Sequence, residues 1–276
     1  MPDIRLIALD LDGTVFDDEK RISARTLQAI RAALDRGVDV VPATGRQAGG
    51  IPAEFLQMPG VRYALTANGA SVVELASGRS VVRLPFDDAL AQQVLAAVQP
   101  FGGVIGVFID GACYGDPDSA ARVESTCPPA LLPYVRASRQ VVPDMPACLA
   151  AHPGQVEKFS ILYGDAATRD AAWAAVAAAC PRAEITSSVP CNLEVNAPGV
   201  NKGRGLMALA AELGLAPAQV MACGDSGNDL AMIRLAGLGV AMANASPDVL
   251  AAADAVTLDN NHDGVAAAIE TYVLGA

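Results

Sequence analysis

Positive charge is scarce in this sequence. Lysine and arginine number 19 against 30 acidic residues, a net charge of -11. That balance excludes a nucleic-acid backbone or an anionic membrane surface as the main partner, since both require a basic footprint. A local basic site for a small anion stays open. The six cysteines, Cys113, Cys127, Cys148, Cys180, Cys191 and Cys223, show no C-x-x-C spacing and no compact framework. They read as buried free thiols in a reducing compartment, and not as a zinc site or a disulfide scaffold. The two histidines, His152 and His262, stand far apart and read as structural or solvent-facing. The single tryptophan, Trp173, sits among alanines and reads as the core face of a helix, not as a stacking platform. No apolar run is long enough to span a bilayer, and the N-terminal stretch around Asp3 and Arg5 lacks a signal-peptide layout, so a cytoplasmic protein is expected.

What the chain has in quantity is apolar content. At 52% over 276 residues it can build a full core as one large domain or two smaller ones. Residues 4–9 read as a buried central strand. Ser23 can cap a helix that places Leu27, Ile30 and Leu34 on one face and ends at Gly37. A strand over 38–41 follows, which makes a β-α-β unit with parallel strands. A third strand ends near Thr66, and residues 71–84 read as a hairpin turning at Ser77-Gly78. From about 87 to 188 the pattern becomes a mixture of helices and short strands, with a proline-bearing stretch over 127–146 that resists assignment. Regular alternation then returns: a helix over 201–213, strands over 220–223 and 239–242, a short helix from 228, and a final helix over 264–274. The fold class expected is α/β: a Rossmann-like parallel sheet core with an inserted α+β domain.

Two acidic clusters stand out against this frame. Asp10-Leu11-Asp12-Gly13-Thr14 follows the first strand, and Gly224-Asp225-Ser226-Gly227-Asn228-Asp229 follows a later buried strand. Two carboxylates one residue apart at a strand's end are unfavourable unless a cation sits between them or one keeps its proton for acid–base work. If the two strands are neighbours, four acids converge, and a hard divalent cation is the remedy; magnesium suits carboxylates, carbonyls and waters in a site that also holds phosphate. Thr44 and Asp10 lie at strand ends where ligands collect in parallel sheets. Lys202, opening a helix as Asn201-Lys202-Gly203, can serve as the point charge for phosphate oxygens. Singly, each has a plainer reading: an Asp-x-Asp turn, a strand-to-helix turn at Thr44-Gly45, a solvated lysine, or an Asp229 that stabilises a helix dipole.

Taken in order, Asp10-Leu11-Asp12-Gly13-Thr14, Thr44-Gly45-Arg46, Lys202 and Gly224-Asp225-Ser226-Gly227-Asn228-Asp229 resemble the haloacid dehalogenase superfamily, in particular its Cof-type phosphatases with an inserted α/β cap. Asn68-Gly69-Ala70 and Asp263-Gly264-Val265 extend the resemblance. It implies a discontinuous core over 1–84 and 189–276 and a cap over 85–188 that closes as a lid. It implies that Asp10 is the nucleophile of an aspartyl-phosphate mechanism and Asp12 the general acid and base, its pKa raised by the neighbouring acids. Thr44 and Lys202 hold the transferring phosphoryl group, with Gly45, Arg46, Asn68 and Asn228 as further substrate-binding candidates. Mg2+ is expected on Asp10, the main-chain carbonyl of Asp12, Asp225 and Asp229, the last directly or through metal waters. The activity implied is hydrolysis of a small phosphorylated metabolite, a sugar phosphate by the family's commonest class. A phosphomutase of the same superfamily and a non-catalytic phosphometabolite-binding protein are the rival readings.

Overall fold

The computed structural model describes residues 2–275, which divide into two compact units. The first comprises Met1–Gly45, Ile51–Arg83 and Asn201–Ala276, and the second Arg46–Gly50 and Leu84–Val200. No helix among the described residues is long and apolar enough to cross a membrane.

Along the chain the first unit opens with β1 (Leu6–Leu9), α1 (Ala24–Asp35), β2 (Asp39–Pro42), the single-turn α2 (Ala53–Leu56), β3 (Tyr63–Thr66), β4 (Ser71–Glu74) and β5 (Ser80–Arg83). The second unit holds α3 (Asp88–Val98), β6 (Val104–Ile109), β7 (Ala112–Gly115), α4 (Pro117–Thr126), α5 (Leu132–Ser138), β8 (Arg139–Val141), α6 (Met145–Ala151), β9 (Val156–Leu162), α7 (Ala166–Ala179), β10 (Glu184–Thr186) and β11 (Asn192–Asn196). The chain then returns to the first unit with α8 (Lys202–Glu212), β12 (Val220–Gly224), α9 (Leu230–Leu235), β13 (Leu238–Ala241), α10 (Pro247–Ala252), β14 (Ala255–Val256) and α11 (Gly264–Ile269).

A five-stranded parallel sheet in the order β14-β13-β12-β1-β2 is the frame of the first unit. All four residues of β1 are buried, as a strand covered on both faces requires. Ser23 caps α1 by accepting a hydrogen bond from the Thr26 amide at 3.0 Å, and Ala29, Ile30 and Ala33 form the buried face, with Leu27 and Leu34 only partly covered. β3 does not extend this sheet. It pairs antiparallel with β4, which pairs with β5, and touches the strand-end segment after β2 through one bridge between Ala43 and Leu65. The register that matters is Leu9 opposite both Cys223 and Pro42. It brings Asp10, Thr44 and Asp225 to the same carboxyl edge of three adjacent parallel strands.

The second unit is a six-stranded sheet in the order β10-β11-β9-β6-β7-β8, antiparallel except between β7 and β8. Its interior includes Phe86 edge-on to Phe159 with ring centroids 5.5 Å apart. The boundary expected at 188 falls instead after Val200, because β11 pairs with β9 inside this sheet. Residues 46–50 also cluster with this unit, where the Arg46 guanidinium lies 4.8 Å over the Tyr134 ring. The unassigned stretch over 127–146 resolves into α5, β8 and the start of α6. Trp173 departs from its expected place: α7 buries Ala172 and Val176, and the indole is half-buried with the Arg169 guanidinium 5.9 Å over it.

Candidate active site

Strand β1 delivers Asp10 at its carboxyl end. The Asp10 amide donates to Cys223 O at 3.0 Å, which continues the β1–β12 ladder one residue past the strand, and its carboxylate is 5% exposed. Gly13 then turns at φ +84°, a left-handed conformation in which a Cβ would also lie 2.5 Å from Asp225 Oδ2. The close approach lets Thr14 Oγ1 donate to Asp225 Oδ1 at 3.0 Å. Nothing in the motif reading singled out Thr14, although it is the last residue of that motif.

Past the end of the neighbouring β12, Asp225 and Asp229 bring carboxylate oxygens to within 4.8 Å of each other and of Asp10. Lys202, fully buried at the first turn of α8, bridges two of them: its Nζ donates to Asp10 Oδ1 at 2.5 Å and to Asp229 Oδ1 at 2.6 Å. Asn201 caps the helix by accepting from the Arg204 amide at 2.9 Å, so Lys202 enters the cluster from a fixed helix start. The other Asp229 oxygen accepts from the Asp225 and Ser226 amides at 3.0 and 3.1 Å. Asp229 is thus held by an ammonium and two backbone amides, an arrangement that orients it from behind Asp225.

These contacts leave an electrostatic imbalance. Burial and the Asp229 charge push the Asp10 carboxyl well above the ordinary carboxylate range despite the opposing pull of Lys202. Burial and Asp229 likewise raise Asp225, to about 7, against the Thr14 hydrogen bond and Lys202. Burial alone would lower Lys202, but the Asp10 and Asp229 carboxylates outweigh it and hold the ammonium above its usual value. Three carboxylates sharing one ammonium fit a hard divalent cation: the donors are all oxygen, and a cation would relieve the repulsion that raises Asp10 and Asp225.

Asp12 is not one of the three clustered carboxylates, although its charge still raises Asp225. Its Oδ1 accepts from Lys20 Nζ at 2.8 Å, a partner absent from the motif reading. Thr44 is buried, its amide donating to Leu65 O at 2.9 Å and its carbonyl accepting from Asn68 N at 3.1 Å. Asn68 Oδ1 accepts from Asn228 Nδ2 at 3.2 Å, and Asn228 Oδ1 from Ser226 Oγ at 2.8 Å. Asp10, Thr44, Asn68, Lys202, Asn228, Asp225 and Asp229 all belong to the first unit, as does Gly45, whereas Arg46 belongs to the second and its Nη1 donates to Gly50 O at 3.1 Å. The histidines play no part: His152 Nδ1 is bonded to Cys148 O, and His262 to Asp259 at the surface. Cys113, Cys127, Cys180 and Cys223 are buried free thiols, while Cys148 and Cys191 are half-buried. Burial pushes the Cys223 thiol up to about 12, so next to the site it is core and not a nucleophile.

The family model described as haloacid dehalogenase-like hydrolase matches residues 7–269, and the chain belongs to that family. It is an enzyme of the phosphatase class within it, the class for which several of its relatives are named. It is 33% identical over 274 residues to the 5-amino-6-(5-phospho-D-ribitylamino)uracil phosphatase YcsE of Bacillus subtilis, covering 99% of this chain and 97% of that protein. It is 30% identical over 247 residues to the HMP-PP phosphatase of Cronobacter sakazakii, covering 90% of this chain and 87% of the relative. Among solved structures, a haloacid dehalogenase-like hydrolase from B. subtilis superposes with a TM-score of 0.85 at 26% identity, covering 98% of this chain and all of the other.

Proposed function

We propose that the protein is a magnesium-dependent phosphatase that hydrolyses a small phosphorylated metabolite, a sugar or polyol phosphate, through an aspartyl-phosphate on Asp10. The observation that carries this reading is the cluster of buried Asp10 and Asp229 and half-buried Asp225 around Lys202 at the carboxyl ends of β1 and β12. A carboxylate oxygen of Asp10 attacks phosphorus and the ester P–O bond breaks; the proton carried by Asp12 goes to the leaving alkoxide. Asp12 then takes a proton from water, the resulting hydroxide bonds to phosphorus, and the acyl-phosphate bond breaks to return the Asp10 carboxylate and inorganic phosphate.

Asp10, Asp225 and the main-chain carbonyl of Asp12 would hold Mg2+, which supplies Lewis-acid neutralisation of the phosphoryl oxygens. Asp229, already engaged by Lys202 and two amides, orients Asp225 and Lys202 from behind. Lys202 and Thr44 hold the equatorial oxygens, and Gly45, Arg46 and Asn228 are further candidates for substrate contact. The inserted unit, with the core over the remaining sequence, serves as the cap that reads the leaving group. A phosphoribityl substrate in the name of one relative supports the sugar or polyol class.

The test is release of inorganic phosphate from a panel of phosphorylated sugars, polyols, nucleotides and cofactors. Hydrolysis is expected, with turnover lost by at least about 10⁴-fold in Asp10→Asn while substrate binding stays measurable. Unchanged turnover in that variant refutes the assignment, and phosphate returned to substrate instead of released would identify a mutase.

A further inference from the structure

Between β3 and β4 the backbone turns through three consecutive left-handed residues, Ala67, Asn68 and Gly69, at φ 49°, 56° and 89°. All three are buried. Alanine gains nothing from this conformation, and a non-glycine residue there is strained unless its surroundings over-determine it. The surroundings here are segments of the active site. The Asn68 amide donates to Thr44 O at 3.1 Å, and the Asn68 side-chain oxygen accepts from Asn228 Nδ2 at 3.2 Å. Asn228 in turn takes a hydrogen bond from Ser226 Oγ at 2.8 Å, within the loop that carries Asp225 and Asp229. Gly69 packs so closely on the start of α8 that a Cβ would lie 2.4 Å from Asn201 O and 3.2 Å from Lys202 Cα. From the other side, a Cβ on Gly205 would come within 2.6 Å of Gly69 Cα.

One turn therefore meets the Thr44 segment, the Lys202 helix and the Asp225–Asp229 loop, three pieces distant in sequence. We infer that Asn68 is a positioning residue, whose strained turn and side-chain bond to Asn228 fix the register of these segments, and that it is not a substrate contact. The inference rests on the phosphatase reading above. Asparagine suits both duties: it tolerates the left-handed conformation better than other non-glycine residues, and its amide supplies the acceptor that glycine lacks.

Asn68→Gly separates the two, since it keeps the backbone and removes the amide. With para-nitrophenyl phosphate as probe, kcat should fall between about 10- and 100-fold, the scale of a small misplacement of catalytic groups, with KM changed less than about threefold and Tm little altered. Asn68→Ala should lose the same activity and also lower Tm. In a cycle with Asn228→Ala, the double variant should be no slower than the slower single, because both break one connection. If Asn68→Gly folds poorly, Ser226→Ala at the far end of the relay should still cut kcat by about threefold or more with KM changed less than about threefold, Tm falling only by the loss of its cap on the Gly227–Asp229 turn. A kcat for Asn68→Gly within twofold of wild type, multiplicative losses in the cycle, or, where Ser226→Ala stands in, its kcat within twofold, overturns the inference. If wild type releases no phosphate, or Asp10→Asn releases it at the wild-type rate, the phosphatase reading fails and this inference falls with it; with both controls as expected, the Asn68 result judges the positioning role alone.

Discussion

Two lysines are almost wholly buried, one in each unit, and they are compensated differently. In the inserted unit, Lys158 on β9 donates to Glu194 Oε1 on β11 at 2.6 Å and lies 5.1 Å from the Phe108 ring centroid. There the ammonium meets a buried carboxylate and an aromatic face. In the first unit, Lys202 meets Asp10 and Asp229 at once, with Asp225 alongside. An ammonium against a single carboxylate leaves no excess charge between the two, whereas three acids about one ammonium retain negative charge that only protons or a cation can remove. The excess is where chemistry can be done, and the matched pair is where the sheet is held in register.

Chelation should break this contrast most sharply. Dialysis against EDTA is expected to take phosphate release to background, and added Mg2+ to restore it, since the excess charge lies among the proposed metal ligands. Full activity in excess chelator would remove the metal from the proposal. The matched pair should be indifferent to chelator in urea unfolding but sensitive to its own disruption. Lys158→Met, which removes the ammonium beside the buried Glu194 carboxylate, should cost about 3–5 kcal/mol, and pairing it with Glu194→Leu should recover most of that. A single variant as stable as wild type would show the pair to be slack.

The same contrast explains what could be read from residues alone. Asp10, Thr44, Lys202 and Asp225 stand just past buried apolar strands or at a capped helix start, where apolar run and motif coincide, so the expected elements and the observed ones agree closely there. Lys20 lies outside every motif and Ser226 inside one, but the role of each comes from its contacts and not from spacing. The difficulty over 127–146 has a physical basis: α5 and α6 have seven residues each and β8 has three, too few for a period to repeat. Pro128, Pro129, Pro133, Pro143 and Pro146 interrupt what pattern there is. The crossing back into the first unit was drawn short of β11 for a related reason. Apolar Leu193 and Val195 alternate with polar Asn192, Glu194 and Asn196, yet all five are buried, which alternation does not announce.

The smallest effect concerns the metal-free protein and pH. Asp225 has a folded pKa of about 7 against an ordinary 3.8, and Asp10 shifts in the same direction. Between those values the folded state binds protons that the unfolded state has released, so stability falls as pH rises across that window. Surface carboxylates such as Asp17, Asp165, Asp259 and Glu270 are lowered by their hydrogen bonds and act oppositely, but their contribution is complete a little above their ordinary values. From about pH 5.5 to 7 these acids should therefore dominate, with Asp225 costing of order 1–2 kcal/mol in EDTA and Asp10 acting in the same direction, as urea midpoints would measure. Mg2+ should abolish the decline, because a cation replaces the protons, and its affinity should rise through the same window. A metal-free protein that gains stability from pH 5.5 to 7 would mean that the three carboxylates are already balanced, and the distinction between the two buried lysines would lose its electrostatic basis.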